Sequence, residues 1–386
     1  MALNIIIEIL IVLASSIIIG ELFEQLKFPS VVGYLIAGLI VGPFVFNLIQ
    51  NNLELQALSS LSLFFIIFLL GIEMKTESVI KYLKPSLKMS ITSFILPLIL
   101  SVTLSVLLLH FGLRQDFIVS LAIAVPSISI VSVLVLRYRL ARDPKGITII
   151  GSVVVTDVIA FLLLGITYKS ALNAILLVVY FIVFLMIFLN VDKILNRGSE
   201  KLRKQLTKSK KILKSEHFGY AMIIIIGLLT GGVSQLIGVN YIIGVFFAGL
   251  IIHEGLIGRT LFRKVSKTIK RMNDGFFIPI FFGIAGIDVS SFHSLYIYMP
   301  AIIIISVSVI VFSVLLNFFY SKKIMNVKKK PWRIKISAII NGRGAVGIAI
   351  ATVAFEIGVI TNSAYSIAVL ATIIISIIAT SLLRNA

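Results

Sequence analysis

One carboxylate in this chain stands where a carboxylate is expensive. Asp157 lies in the run Val153-Val154-Val155-Thr156-Asp157-Val158-Ile159-Ala160, with no cationic residue within a helical turn on either side. If that run crosses a membrane, an acid at its centre costs at least about 2.5 kcal/mol, so it is expected to line a pathway and not to face lipid. Burial favours the protonated form and an approaching cation the ionised form, so the group binds a proton or a cation but not both. That competition suffices for coupled exchange, because either load can cross while the empty charged site is costly to move through a dry barrier. Thr156, Ser127, Ser129 and Asn341 add oxygen atoms suited to a hard cation such as Na+ bound at Asp157, although helical hydroxyls also bond back to the preceding turn. Arg343 is the one arginine inside an apolar run. It can neutralise helix ends that face one another, or pair with Asp157 as a purely structural ion pair.

Two interruptions flank these groups. Ala124-Val125-Pro126-Ser127 places in one apolar run a proline that removes a backbone donor and clashes with the preceding turn. Asn341-Gly342-Arg343-Gly344 places in a later run two glycines that weaken a helix and leave backbone groups free. Non-helical backbone at membrane depth is tolerated only inside protein or around a wet cavity, so the two breaks are expected to share one centre.

The elements that position them follow from composition. The 386 residues are 59% apolar and only 13% charged, with a mean hydropathy of +1.11, which excludes a soluble globular domain. Apolar runs of about 20 residues, enough to cross about 30 Å of hydrocarbon, recur along the whole chain and predict one all-α polytopic membrane domain over 1–386. The first run, followed at once by Glu21 and Glu24, reads as a spanning helix and not as a cleaved leader. There is no cysteine, hence no disulfide or thiolate metal site.

About thirteen spans are expected, centred near Val12, Ile40, Phe65, Pro97, Ala124, Asp157, Phe181, Ile225, Phe246, Phe281, Val307, Ala349 and Ile374. The formal charge of +19 would suggest nucleic acid in a soluble protein. Here it gathers in alternate loops (75–88, 137–145, 193–214, 259–271 and 322–335), which argues against a nucleic-acid partner and puts the N-terminus outside and the C-terminus in the cytoplasm. A first repeat over about 1–168, a linking helix and basic loop over about 169–216 and a second repeat over about 217–386 make two inverted six-helix halves. Corresponding breaks in such halves cross near the midplane.

Other groups read as peripheral. Glu73 closes the third span at the inner interface, as a funnel or edge residue. Glu356, Asp288 and Glu8 have structural roles, Gly38 and Gly42 serve close packing within the chain, and His253 stands at an interface.

The segments Phe28-Pro29-Ser30-Val31-Val32-Gly33-Tyr34-Leu35-Ile36-Ala37-Gly38 to Gly42-Pro43, Phe68-Leu69-Leu70-Gly71-Ile72-Glu73-Met74, Thr156-Asp157 and Gly342-Arg343-Gly344-Ala345-Val346-Gly347 resemble the cation:proton antiporter-2 branch of the sodium/proton exchangers. The resemblance covers essentially the whole chain. It implies a prokaryotic cell-membrane antiporter without cofactor, working as a homodimer in the lipid bilayer, with a moving core at about 83–167 and 296–384. Electrogenic members carry an acid where this chain has Thr156 and a lysine where it has Asn317. Both being neutral here implies electroneutral exchange of one cation, Na+ before K+, for one proton. No nucleotide-binding motif accompanies the spans, so nucleotide gating of the potassium-efflux kind is not expected. An intramembrane aspartyl protease would need a second central aspartate, and a passive channel would not need paired breaks.

Overall fold

The computed structural model describes residues 5–73, 82–127, 130–131, 134–135, 138–140, 143–167, 216–236, 241–252 and 259–384. Every regular element among them is helical. Among the described residues, seven helices are long and apolar enough to cross a membrane, and Ser30–Val41 and Ala345–Glu356 are shorter apolar helices. Each expected span centre falls on a helix, except the one near Phe181, which lies outside the described residues.

The chain divides into two compact units: Met1–Ser60 with Glu77–Thr167 and Ile278–Ala386, and Leu61–Thr76 with Tyr168–Phe277. The first holds α1 (Ile5–Gln25), α2 (Ser30–Val41), the start of α3 (Leu53–Glu73), α4 (Leu83–Ser90), α5 (Leu96–Leu108), α6 (Leu113–Ala124) and α7 (Pro144–Thr167). The second holds the rest of α3, α8 (Glu216–Leu236), α9 (Tyr241–Ile251), the basic α10 (Arg259–Met272) and a π turn, Asn273–Phe277. The chain returns to the first unit with α11 (Ile278–Ile287), the short α12 (Phe292–Leu295), α13 (Met299–Met325), α14 (Lys330–Ile339), α15 (Ala345–Glu356) and α16 (Asn362–Arg384).

In the first unit, backbone contact replaces side-chain interdigitation where helices cross closely. A Cβ on Gly38 would lie 2.0 Å from the Gly283 carbonyl oxygen, and one on Gly42 would lie 2.8 Å from Ile287 Cα. The Gly38–Gly42 pair therefore seats α2 on α11 within the chain, the use that small residues serve where lipid removes the hydrophobic drive. Burial separates peripheral from central helices: the apolar window of α16 is 72% buried and that of α1 only 22%, although the two are equally apolar. In the second unit, α10 buries Val265 and Ile269 and exposes Arg263, Lys264, Lys267, Lys270 and Arg271, the pattern of a helix lying along an interface. Asn273 donates to the Phe65 and Ile269 carbonyls, both at 3.1 Å, and Phe65 stacks on Phe277.

Candidate functional site

α6 stops at Ala124 because Pro126 brings no N–H and forces the residue before it out of the helical region; Val125 has φ −71° and ψ 121°. The second break begins as Asn341 and Gly342 close a tight turn, donating to Ala338 and Ile339 at 3.2 Å each. The two breaks then support one another. Pro126 and Arg343 form an antiparallel bridge, the Ser127 N–H donates to the Gly342 carbonyl at 2.7 Å, and the Ser127 hydroxyl accepts the Ala345 N–H at 3.1 Å. That last bond caps the first turn of α15. The glycines are needed for proximity and not for backbone conformation: a Cβ on Gly342 or Gly344 would lie 2.7 or 2.8 Å from the side chain of Ile130.

Helix register sets the depth of Asp157. The Arg114 Nε donates to the Thr167 carbonyl at 3.0 Å, fixing α6 and α7 as antiparallel neighbours at one end. Stepping equally down both helices from that contact brings Val125 level with Thr156. On the other side, the Ser86 hydroxyl donates to the Thr148 carbonyl and abuts Gly151. Two turns further along these parallel helices, Ser93 is level with Val155–Val158. Asp157 therefore lies at the depth of the crossed breaks. It is 0% exposed, and neither carboxylate oxygen has a hydrogen-bond partner among the described residues. A buried carboxylate without a partner is rare in proteins and calls for a ligand, water or proton.

Arg343 is equally buried. One Nη2 donates to the Ser93 carbonyl and to Asn341 Oδ1, both at 3.2 Å, while Nε and Nη1 have no partner among the described residues. Its carbonyl accepts the Ser376 hydroxyl at 2.6 Å. No Arg343 nitrogen lies within 4.0 Å of an Asp157 oxygen, which corrects the reading of a structural Asp157–Arg343 pair.

The remaining sequence candidates divide. Thr156 spends its hydroxyl proton on the Ser152 carbonyl at 2.8 Å, leaving only its lone pairs for an ion. Asn341 donates to Ser337 at 2.7 Å and accepts from Arg343. Asn317 is buried in α13. It donates to Ser313 and accepts the Thr92 hydroxyl at 2.8 Å, so its bonds go to Thr92 and Ser313 and not to Thr156. Ser129 and His253 lie outside the described residues, as does the side chain of Glu73. Glu8 accepts from Asn52 at 2.8 Å, Glu356 from Ser60 at 3.3 Å and Asp288 from Asn51. All three are anchored away from the crossing.

Sequence reasoning passed over Ser93, Thr92 and Pro97. Thr92 and Ser93 stand in the π turn Ile91–Ile95, where the helix shifts its bonding by one residue and Leu96 N–H reaches the Ile91 carbonyl, and Pro97 lies in the first turn of α5 just after it. Such turns recur at functional sites. The legible signal was Ser93-x-x-x-Pro97, which puts a missing donor four residues after a polar residue. Asp116, 1% exposed with Oδ1 unpartnered among the described residues, was also passed over.

Two helix breaks bonded to one another in an apolar, all-helical unit define a helical membrane protein of the architecture used by secondary transporters. Residues 10–385 match the family described as "Sodium/hydrogen exchanger, transmembrane", and the chain belongs to that family. Among curated relatives, it is 25% identical over 279 residues to the "Probable Na(+)/H(+) antiporter 3" of Methanocaldococcus jannaschii, covering 72% of this chain and 70% of the other. It is 22% identical over 382 residues to the "Na(+)/H(+) antiporter" of Enterococcus hirae, covering 97% and 96%. Among solved structures, the sodium proton antiporter MjNhaP1 of M. jannaschii superposes with a TM-score of 0.70 over 100% of this chain and 98% of the other, at 16% identity. That match shows a shared fold.

Proposed function

We propose that this chain is an antiporter that exchanges a monovalent cation, Na+ before K+, for a proton at Asp157. The observation that carries the reading is the fully buried, unpartnered carboxylate at the depth of two mutually supported breaks. Ionised, it accepts a cation; protonated, it is neutral; either state can move through a low-dielectric barrier that the bare charge resists. The Ser127 and Thr156 oxygens and the backbone of the breaks supply further oxygen atoms of the kind a hard cation takes. The neutral side chains at Thr156 and Asn317, where electrogenic relatives carry an acid and a lysine, support an electroneutral one-for-one cycle. Residues 83–167 and 296–384 form the moving core. The chain acts as a homodimer in the cell membrane, with its N-terminus outside and its C-terminus cytoplasmic.

The test is proton flux in proteoliposomes with a pH gradient and a clamped potential, on adding Na+, K+ or Li+ to wild type and Asp157→Asn. Cation-driven proton movement lost in the variant supports exchange at Asp157, and the most effective ion names the substrate. K+ alone driving flux would replace the sodium assignment with the potassium one. Full activity in the variant, or conductive cation flux without protons, would overturn the reading.

A further inference from the structure

The side-chain hydrogen bonds described between the core helices and residues 5–60 and 278–295 gather at one end of the first unit. Ser60, about two turns into α3, donates to Glu356 at the end of α15 at 3.3 Å. Just past α11, the Ser290 N–H donates to the Ser366 hydroxyl at 2.8 Å, the Ser290 hydroxyl donates to Asn362, and Asn362 donates to the Asp288 carbonyl at 2.9 Å. Tyr365 adds a bond to the Ala285 carbonyl at 2.9 Å. In the orientation proposed above, this is the outer end. We propose that it is a latch on the core, closed by a regulatory proton that Asp288 takes opposite Glu356 and separate from the proton exchanged at Asp157. The inference rests on the exchange reading above and its moving core.

An orphaned atom calls for that proton. Asn51 donates its amide to Asp288 Oδ1, while its own Oδ1 is buried without a partner among the described residues. An ionised carboxylate only accepts and cannot satisfy that oxygen, whereas a protonated one carries the O–H donor it lacks. The charges point the same way. Asp288 follows α11 and Glu356 ends α15, so the two acids stand on opposite sides of the boundary along which the core would slide. Among the described residues, Glu356 of α15 and Tyr365 of α16 are the titratable groups that interact with Asp288, and Tyr365 gives its proton to Ala285. Glu8 of α1 is held by Asn52, and His293 of α12 is exposed and lies against Tyr296. Burial first, and then the Glu356 charge, push Asp288 up to about 7 against the opposing Asn51 hydrogen bond. Below that pH the Asp288 carboxyl is neutral. Above it, Asp288 adds a charge of the same sign as that of Glu356 across the boundary, and the repulsion works against the Ser60, Ser290 and Asn362 bonds. The latch is therefore tight when the outside is acid and loosens as the outside turns alkaline, which restrains proton entry when the outer proton concentration is highest.

The chain has no cysteine, so Ser290→Cys with Ser366→Cys places a thiol pair where the native hydroxyls are 3.3 Å apart, within reach of a disulfide. In proteoliposomes, oxidation with copper phenanthroline should join the pair within one chain and abolish Na+-driven proton flux, and dithiothreitol should restore it. Each single-cysteine variant should keep its flux under the same oxidation. The proton is read by the rate of cross-linking, measured against the same thiol pair on Asp288→Asn so that thiol ionisation cancels. From an outside pH of about 6 to about 8, that ratio should fall about two- to fivefold, the size expected of a half-exposed charge interaction. Should Asp288→Asn fail to fold, Glu356→Gln is the second reference, because it removes the repulsion from the other side and should give the same fall. A cross-linked protein that exchanges at the uncross-linked rate, a pair that does not cross-link at pH 6, or a ratio unchanged with pH overturns the proposal. Absence of cation-driven proton flux in the wild type would fall on the exchange reading alone, and the pH dependence of the ratio would still decide whether Asp288 closes this end.

Discussion

Asp157→Asn should make the protein more stable while removing its exchange. Asparagine keeps nearly the same shape without the charge, and both oxygens of the native carboxylate are buried without partners among the described residues. On insertion scales, an acid at the centre of a span costs about 2.5–3.5 kcal/mol. Using the temperature sensitivity of larger soluble domains, that cost corresponds to a rise in melting temperature of about 5 °C or more at pH 8 without Na+. Adding Na+ at about 100 times its dissociation constant should stabilise the wild type by about 2.7 kcal/mol and leave the variant unmoved. The assay is thermal unfolding of detergent-solubilised protein over a Na+ series at constant ionic strength. A variant that melts at or below the wild type without Na+ would refute the claim that the carboxylate is unsatisfied. A variant that retains the full Na+ shift would refute the claim that it binds the cation.

Three further outcomes follow from the geometry. Gly347→Ala should destabilise by about 1–3 kcal/mol, because the new Cβ would lie 2.2 Å from the Ala122 carbonyl oxygen and backbone would have to move; thermal unfolding measures it. Ser127→Ala should cost about 1 kcal/mol for the lost cap on the Ala345 N–H, also read by unfolding, and should slow exchange as the two breaks loosen. Asp288, in the turn after α11, is pushed up to about 7 by burial, with the Asn51 hydrogen bond opposing and the Glu356 charge reinforcing. A raised carboxyl is protonated more readily folded than unfolded, so stability falls as pH rises from about 4 to about 7. Asp288→Asn should flatten melting temperature across that window, and an unaltered slope would contradict the assignment.

The features legible in the sequence are those carried by local chemistry. Pro126 and Asn341-Gly342-Arg343-Gly344 announce breaks because proline and glycine act on their own backbone, and Asp157 stands out because a charge in an apolar run has a cost wherever the run goes. Features that depend on distant partners were not readable. Ser93 and Arg343 are joined across 250 positions of chain and Thr92 and Asn317 across 225, and no periodicity encodes such pairings. Gly38 and Gly42 signalled a close approach but not that α11 is the helix approached. Thr156 offered an oxygen next to Asp157 or a bond to the preceding turn, and its hydroxyl takes the second, a choice of rotamer that residue type leaves open.

The mutual support of the two breaks carries a consequence for biogenesis. The Ser127 N–H and the α15 cap find their partners only when both breaks are present, and the Gly342 carbonyl that accepts from Ser127 is encoded about 215 residues later. At roughly 5–20 residues per second, the ribosome takes about 10–40 s to deliver it. During that interval the first break sits in or beside the bilayer with open backbone polar groups, a state each of whose unmet groups costs several kcal/mol in hydrocarbon. The nascent first half is thus expected to wait in a hydrated or protein-lined environment, at the insertion machinery, until the second half closes over it.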